Sequence, residues 1–166
     1  MAGLKDDDAR FAYLAEGNAK QARKRVAADV LLRDQRGHIV LVNPTYKEHW
    51  DLPGGMAENN EAPRAAAVRE VGEELGLSIE PGRVLVLDWI GAHGPWDDQL
   101  LFIFDGGVLS DGDAEQLAPR DPEISEVALV PLQKARQLLR ADMAERVERA
   151  FQALARNTTD YAEGPW

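Results

Sequence analysis

Between Gly55 and Leu77 the chain sets Glu58, Glu61, Glu70, Glu73 and Glu74 around one arginine, Arg69, directly after the pair Gly54-Gly55. Carboxylate oxygens at this density are hard ligands of the kind Mg²⁺ takes, and Mg²⁺ ordinarily works on phosphates. The chemistry suggested is metal-assisted work on a phosphorylated compound. Glycine permits positive φ and close backbone approach, so a carbonyl of this turn can ligate a metal and the N–H of Gly54 can face a phosphate. Glu58 and Glu61 add carboxylates on the loop and first turn that follow.

The positions from Ala62 to Leu75 read as a helix, with successive residues advancing by about 100°. On that wheel Val68, Val71 and Leu75 share one side, with Ala67 and Gly72 beside them, which is a stripe for burial. Glu70, Glu73 and Glu74 fall together on the other side, within an arc of roughly 100°, with Arg69 at its border. Asn60 is the expected N-cap, Pro63 belongs in the first turn and Gly76 is a C-terminal stop. Like charges three and four positions apart repel by roughly a few tenths of a kcal/mol per pair. A solvated face tolerates that and a divalent cation turns it to use. Taken alone, such a helix is better explained by an exposed acidic face; the Gly-Gly turn before it shifts the balance to a metal–phosphate site.

The segment resembles the signature of the Nudix hydrolases, G-x5-E-x7-R-E-U-x-E-E-x-G-U with U aliphatic. Its fixed positions are filled by Gly55, Glu61, Arg69, Glu70, Val71, Glu73, Glu74, Gly76 and Leu77. Asn60 departs from the frequent glycine before the first box glutamate, a position outside the fixed set. The resemblance implies an α/β fold, an α/β/α sandwich with a mixed sheet between helices and the box as loop-helix-loop. It also implies a pyrophosphohydrolase dependent on Mg²⁺ or Mn²⁺, acting on a nucleoside diphosphate linked to another moiety by water attack on phosphorus. By the same resemblance the metal falls to Glu70, Glu73 and Glu74 with the Gly55 carbonyl. Arg69 pairs with a neighbouring carboxylate, Glu61 is a structural partner and Glu58 an outer ligand.

Two sources for the general base stay open: a box glutamate, Glu70 or Glu73, or a later loop, where Pro122 to Glu126 offers Glu123 or Glu126. Glu70 is preferred. Trp96, in a loop from Gly91 to Asp98 with His93, is a candidate substrate contact, whereas Trp50 and Trp89 read as core. His38, His49 and His93 show no mutual ligand spacing. A nucleotide sensor built on the same fold without catalysis is the alternative reading. Nucleoside triphosphates, ADP-ribose, nucleotide sugars and dinucleoside polyphosphates all remain open as substrates.

The elements that must position these residues follow from hydropathy. Val26–Arg33 and Ile39–Asn43 read as strands around a tight turn, then Val84–Trp89, Gln99–Asp105 and Val127–Val130 as further strands. Helices are expected at Asp8–Lys24, Leu132–Leu139 and Met143–Ala155, with Gly106–Pro122 irregular and Asp111-Gly112-Asp113 a turn. The division is a helical extension over 1–24, a Nudix domain over 25–157 and a tail over 158–166. Phe11, Leu14 and Ala15 give the first helix an apolar side for its own domain or for a second subunit, and a homodimer is compatible with the family. The tail from Tyr161 to Trp166 is either disordered or docked through its two aromatics.

With 166 residues, 45% of them apolar, the chain is sized for one domain with a proper core. Its net charge of −10 is unfavourable for a polyanionic nucleic acid, so a small phosphorylated partner is expected. The absence of cysteine excludes disulfides and thiolate metal sites. Apolar runs such as Val127–Leu132 are too short to span a membrane. The polar start over residues 1–24 argues against a signal peptide, and a cytoplasmic address is the expectation.

Overall fold

Alternation along two strands divides the core. In β1 (Arg25–Arg33), Ala27 and Leu31 enter one apolar cluster while Ala28, Val30 and Leu32 enter another. In β2 (Ile39–Pro44), Ile39 and Leu41 join the first cluster and Val40 and Val42 the second. A period of two with both faces buried requires a cover on each side of the sheet. The computed structural model describes residues 2–164, and the side chains of residues 6–164.

The remaining elements are α1 (Ala2–Ala19), β3 (Gly54–Met56), α2 (Pro63–Leu75), β4 (Val84–Ile90), β5 (Gln99–Val108), α3 (Asp111–Glu115), β6 (Ile124–Val130), α4 (Leu132–Leu138), α5 (Ala141–Arg156) and β7 (Asp160–Gly164). The sheet has seven strands in the order β6-β2-β1-β5-β4-β7, with β3 paired to β1. It is mixed: β1–β5 and β4–β7 are parallel, the other pairs antiparallel. Ala135, Leu139, Met143, Val147 and Ala150 from the α4–α5 region close the first cluster, and Ala66, Ala67, Val71 and Leu75 of α2 close the second. This is the expected α/β/α sandwich around a mixed sheet.

Several local expectations change. The first helix begins earlier and ends at Ala19, and none of its described side chains is buried; Phe11 and Leu14 face solvent. The apolar side inferred for it therefore does not pack on its own domain. Strand β5 runs through Gly106 and Gly107 to Val108, so the irregular stretch starts later. Asp111–Asp113 opens a short helix instead of a turn, because the Ser110 hydroxyl accepts the Asp113 N–H at 3.1 Å. Strand β6 starts at Ile124, which places Glu126 opposite Asn43 within the sheet and not in a loop. Residues 160–164 of the tail lie parallel to β4 as β7. Trp166, the tail's second aromatic, lies outside the described residues. Among those residues no helix is long and apolar enough to cross a membrane.

A charged group interrupts the first apolar layer. Asp88, fully buried on β4, accepts from Arg146 Nε at 2.8 Å and from Arg149 Nη2 at 2.7 Å. Arg146, itself buried, also donates to Asp142 at 2.5 Å, and Arg149 pairs with Asp160 of β7. The network ties α5 to β4 and to the edge strand. Removing one member of a buried pair leaves the other charge uncompensated, at a cost of about 3–5 kcal/mol. Asp88→Ala is therefore expected to lose that much stability in urea unfolding. A loss under about 1 kcal/mol, in the range of a surface pair, would show that the network is not holding the fold.

Candidate functional site

Two glycines bring the acidic helix to the sheet. Strand β3 pairs with β1 through Ala27–Met56, Ala28–Gly55 and Asp29–Gly54, and Val30 N–H donates to the Pro53 carbonyl at 2.9 Å. Gly54 has a φ of 145°, which side chains rarely adopt, and a Cβ there would stand 2.6 Å from Asp29 Oδ1. A Cβ on Gly55 would stand 2.6 Å from the Glu70 carboxyl carbon. Bare backbone at both positions is what lets the carboxylates of α2 lie against the turn. Glu74 Oε2 accepts the Gly54 N–H at 3.0 Å.

The helix is rotated relative to the sequence-derived wheel. Ala66, Ala67, Val71 and Leu75 are buried while Val68 and Gly72 are exposed. On a 100° wheel Glu70 and Glu74 fall between Ala66 and Ala67, inside the arc that faces the sheet. The small alanines allow this close approach, and a valine at the centre of the stripe would not. Asn60 is not the N-cap: it takes a left-handed φ of 60°, and the cap is Ala62, which offers no side-chain hydrogen bond. Pro63 at the helix start and Gly76 at its end stand as expected.

Arg69 gathers the acids on the outer side. Its Nε and Nη2 donate to the two oxygens of Glu61 at 2.9 and 3.0 Å. Nη1 donates to Glu70 at 2.9 Å and to Glu73 at 3.1 Å, and Nη2 also reaches the Met56 carbonyl at 3.1 Å. Glu61 Oε2 in turn accepts the Glu58 N–H at 2.8 Å, which fixes the loop between β3 and α2. The bonds from Arg69 and from the Glu58 N–H hold the Glu61 carboxyl below its ordinary pKa.

On the inner side the electrostatics reverse. Burial pushes the Glu74 carboxyl up to about 8; the Gly54 N–H opposes this, and Glu70, Asp51 and Asp121 reinforce it. Burial also raises Glu70, against the pull of Arg69. Asp29, buried on β1, is raised well above the ordinary range by burial and by Asp51, with Lys47 opposing. Among the described residues, no three histidine or acidic side chains already stand close enough together to grip an ion. Glu73 is drawn outward to Arg69.

A cleft of about 1070 Å³ opens over this turn. Of the residues singled out from sequence, Gly54, Gly55, Glu70, Glu74, Glu123 and Trp96 line it, whereas Glu58, Arg69 and Glu73 do not. Glu123 precedes β6, its N–H bonded to Asp121 Oδ1 at 2.7 Å. Trp96 is exposed at the far wall with the Arg25 guanidinium 4.7 Å from its ring. Trp50 packs against the first core and still reaches the cleft, while Trp89 donates to Asp98 at 2.9 Å away from it. His49 and His93 also line the cleft.

Sequence reasoning passed over Asp29, Lys47, Asp51, Arg140 and Asp142, all of them on the lining. Asp29 carried a signal: a lone carboxylate inside the apolar run of a strand is expensive to bury and marks a site or a buried pair. Asp88 carried the same signal. The others sit in polar stretches where nothing distinguishes them.

Comparisons with known proteins agree with this architecture. A profile described as the NUDIX domain matches residues 23–154. Diphosphoinositol polyphosphate phosphohydrolase 2 of Mus musculus is 41% identical over 64 residues, which cover 38% of this chain and 36% of that protein. The match thus spans only about a third of the length of such curated relatives. The crystal structure of the MutT protein from Methanosarcina mazei Go1 superposes with a TM-score of 0.66 at 23% identity, covering 81% of this chain and 99% of that one. A UDP-X diphosphatase structure gives 0.67 at 17% identity, covering 93% and 74%. With residues 23–154 inside that profile and a mixed sheet between helices like those of both solved structures, this protein belongs to the NUDIX domain family.

Proposed function

We propose that this chain is a metal-dependent pyrophosphohydrolase that cleaves a nucleoside diphosphate linked to another moiety by water attack on phosphorus. One observation carries the reading: the carboxylates of Glu70 and Glu74 meet the bare backbone of Gly54-Gly55 on the lining of a substrate-sized cleft. The names of relatives as a phosphohydrolase and a diphosphatase support the same reaction class.

The donor set fits a hard divalent cation. All its candidate ligands are oxygens, and the Glu74 carboxyl, raised first by burial and then by Glu70, Asp51 and Asp121, is bonded to the Gly54 N–H. Glu70, Glu73, Glu74 and the Gly55 carbonyl would hold Mg²⁺ or Mn²⁺, Glu73 leaving Arg69 to do so. When bound, the cation would offset the charge of the diphosphate and acidify water.

The chain's own residues divide the remaining work. Arg69, anchored in a two-bond fork on Glu61, orients Glu70 and braces the loop through the Met56 carbonyl. Glu70, half-buried with a raised pKa, is placed to take the proton of the attacking water, and Glu123 on the lining is the second candidate for that role. The Gly54 N–H, now held by Glu74, faces the place of a phosphate oxygen. Trp96 offers a ring to a nucleobase, and Glu58, off the cleft, remains at most an outer contact.

Two experiments test this. Incubation with Mg²⁺ or Mn²⁺ and the four substrate classes, with products identified by phosphorus NMR, is expected to show cleavage within a diphosphate. Arg69→Lys should lower that activity about 10–100-fold by releasing Glu70, and Glu74→Gln by a larger factor. Binding without turnover of any of the four would replace the enzyme by a sensor.

The second experiment follows thermal stability with pH. The Glu74 carboxyl is raised from an ordinary 4.5 to about 8. Its contribution is thus full below about pH 4.5 and lost as pH rises through about 8. In chelator the protein should lose stability across that window, Glu74→Gln should flatten the loss, and Mg²⁺ should stabilise most at the alkaline end. Parallel profiles for the two proteins in chelator would show that Glu74 does not carry the raised titration, and equal stabilisation of both by Mg²⁺ that it does not face the cation.

A further inference from the structure

The charges lining the cleft are unevenly committed. Beyond Glu70 and Glu74, five carboxylates line it: Asp29, Asp51, Asp121, Glu123 and Asp142. The lining cations are Arg25, Lys47, Arg140 and Arg146. Three of these already serve a carboxylate. Lys47 Nζ lies 2.5 Å from Asp51, Arg140 Nη2 donates to Asp142 at 2.6 Å, and Arg146 holds Asp88 at 2.8 Å and Asp142 at 2.5 Å. Arg25 differs: its guanidinium stands over Trp96 and donates to the Asp97 carbonyl at 3.3 Å.

Strand order separates the two kinds of wall. Arg25 and Trp96 lie where β1 meets the β4–β5 connection. Lys47, Asp51, Asp121 and Glu123 lie across β1 on the β2–β6 side, where Val42 bridges Asp51 and Thr45 N–H donates to the Glu123 carbonyl at 2.7 Å. Arg140 and Asp142 open α5 beside them, through the bridge from Trp50 to Leu139. Among the described residues, one end thus presents an aromatic ring beside a cation engaged by neutral groups, the other a row of acids with cations paired to carboxylates.

We infer that the group leaving with the second phosphate is uncharged and rich in hydroxyls, a ribose or another sugar, bound at the Asp51–Asp142 wall while the nucleobase takes the Arg25–Trp96 end. This rests on the hydrolase reading above and selects among its substrates. An ionised carboxylate only accepts, so it matches hydroxyl donors and repels phosphate oxygens. Guanidinium forks are the usual grip for added phosphates, and here those of Arg140 and Arg146 are occupied. Despite partial burial, they hold Asp142 ionised well below the ordinary carboxylate range. Nucleoside triphosphates, dinucleoside polyphosphates and phosphorylated inositols all bring extra charge to this wall.

Calorimetry on the full chain in Mg²⁺, with methylene-bridged analogues that cannot be cleaved, tests the inference apart from catalysis. The analogue of a sugar-linked nucleoside diphosphate should bind at least about tenfold tighter than that of a nucleoside triphosphate. Asp142→Asn and Asp51→Asn, which each leave a cation without its partner, should shrink that ratio about tenfold. Equal or tighter triphosphate binding by the unaltered protein overturns the inference, as does an unchanged ratio in variants that melt like the parent. The wild-type ratio decides the matter even if one variant fails to fold. Turnover of the natural compounds is read alongside: preference without turnover removes the hydrolase reading and keeps only the binding preference of the wall, and turnover without preference removes this inference and keeps that reading.

Discussion

Crowding carboxylates into a partly buried turn is the constraint to which the rest of the molecule is fitted. Each buried charge must be paired, hydrogen-bonded or neutralised. Here Glu61 and Glu73 are answered by Arg69, Glu70 by Arg69 in part, and Glu74 by a single backbone N–H. That last carboxyl is displaced upward, first by burial and then by the neighbouring acids, against the one N–H. The small side chains of Ala66 and Ala67 and the missing Cβ atoms of Gly54 and Gly55 follow from the same requirement, since anything larger would lift α2 off the sheet. Strand β3 is the backbone rail of this contact, bonded to β1 on one side and to Glu74 on the other.

The opposite layer of the sandwich carries a second set of charges that serve the cleft from behind. Asp88 is buried beneath α5 and fixes Arg146 and Arg149, and Arg146 in turn fixes Asp142 on the cleft wall. Buried ion pairs of this kind add little net stability over apolar packing, because desolvation consumes most of the attraction. Their return is in placement: a guanidinium held in two directions keeps the first turn of α5 in one position. The edge strand β7 enters the same network through Asp160 and Arg149. A segment legible only as a tail therefore bears on the geometry of the wall.

How much of this could be read beforehand depends on whether the signal was local. The box helix, its proline start and glycine stop, five of the strands and the sandwich itself follow from periodicity and from a spacing that is hard to mistake. The rotation of α2 does not, because Val68 and Ala66 are both acceptable on a wheel and only the approach to Gly55 decides between them. Asn60 looked like a cap because its side chain suits one, yet its backbone went left-handed to carry the loop to Glu61. Strand β7 was invisible because Asp-Tyr-Ala-Glu-Gly has no apolar period of its own and owes its conformation to pairing with β4. Asp29 and Asp88 were visible in principle, as charges stranded in apolar strands.

Relatedness fixes the fold here more firmly than it fixes the substrate. The cleft lining runs from Arg25 to Arg146, a span of 122 positions counting both ends, whereas the match to the named phosphohydrolase covers 64 residues. About half of that span must therefore lie outside that match, although all of it lies within the residues the domain profile matches. A polyphosphorylated ligand needs a surplus of cations, and this cleft has seven carboxylates facing four, three of those already engaged. A diphosphate carrying its own divalent cation reduces that mismatch at the turn. Further phosphates would meet the remaining acids with nothing to offset them, and hydroxyls would meet them as donors. On the proposed hydrolase reading, the charge of the cleft is what selects the group beyond the scissile bond.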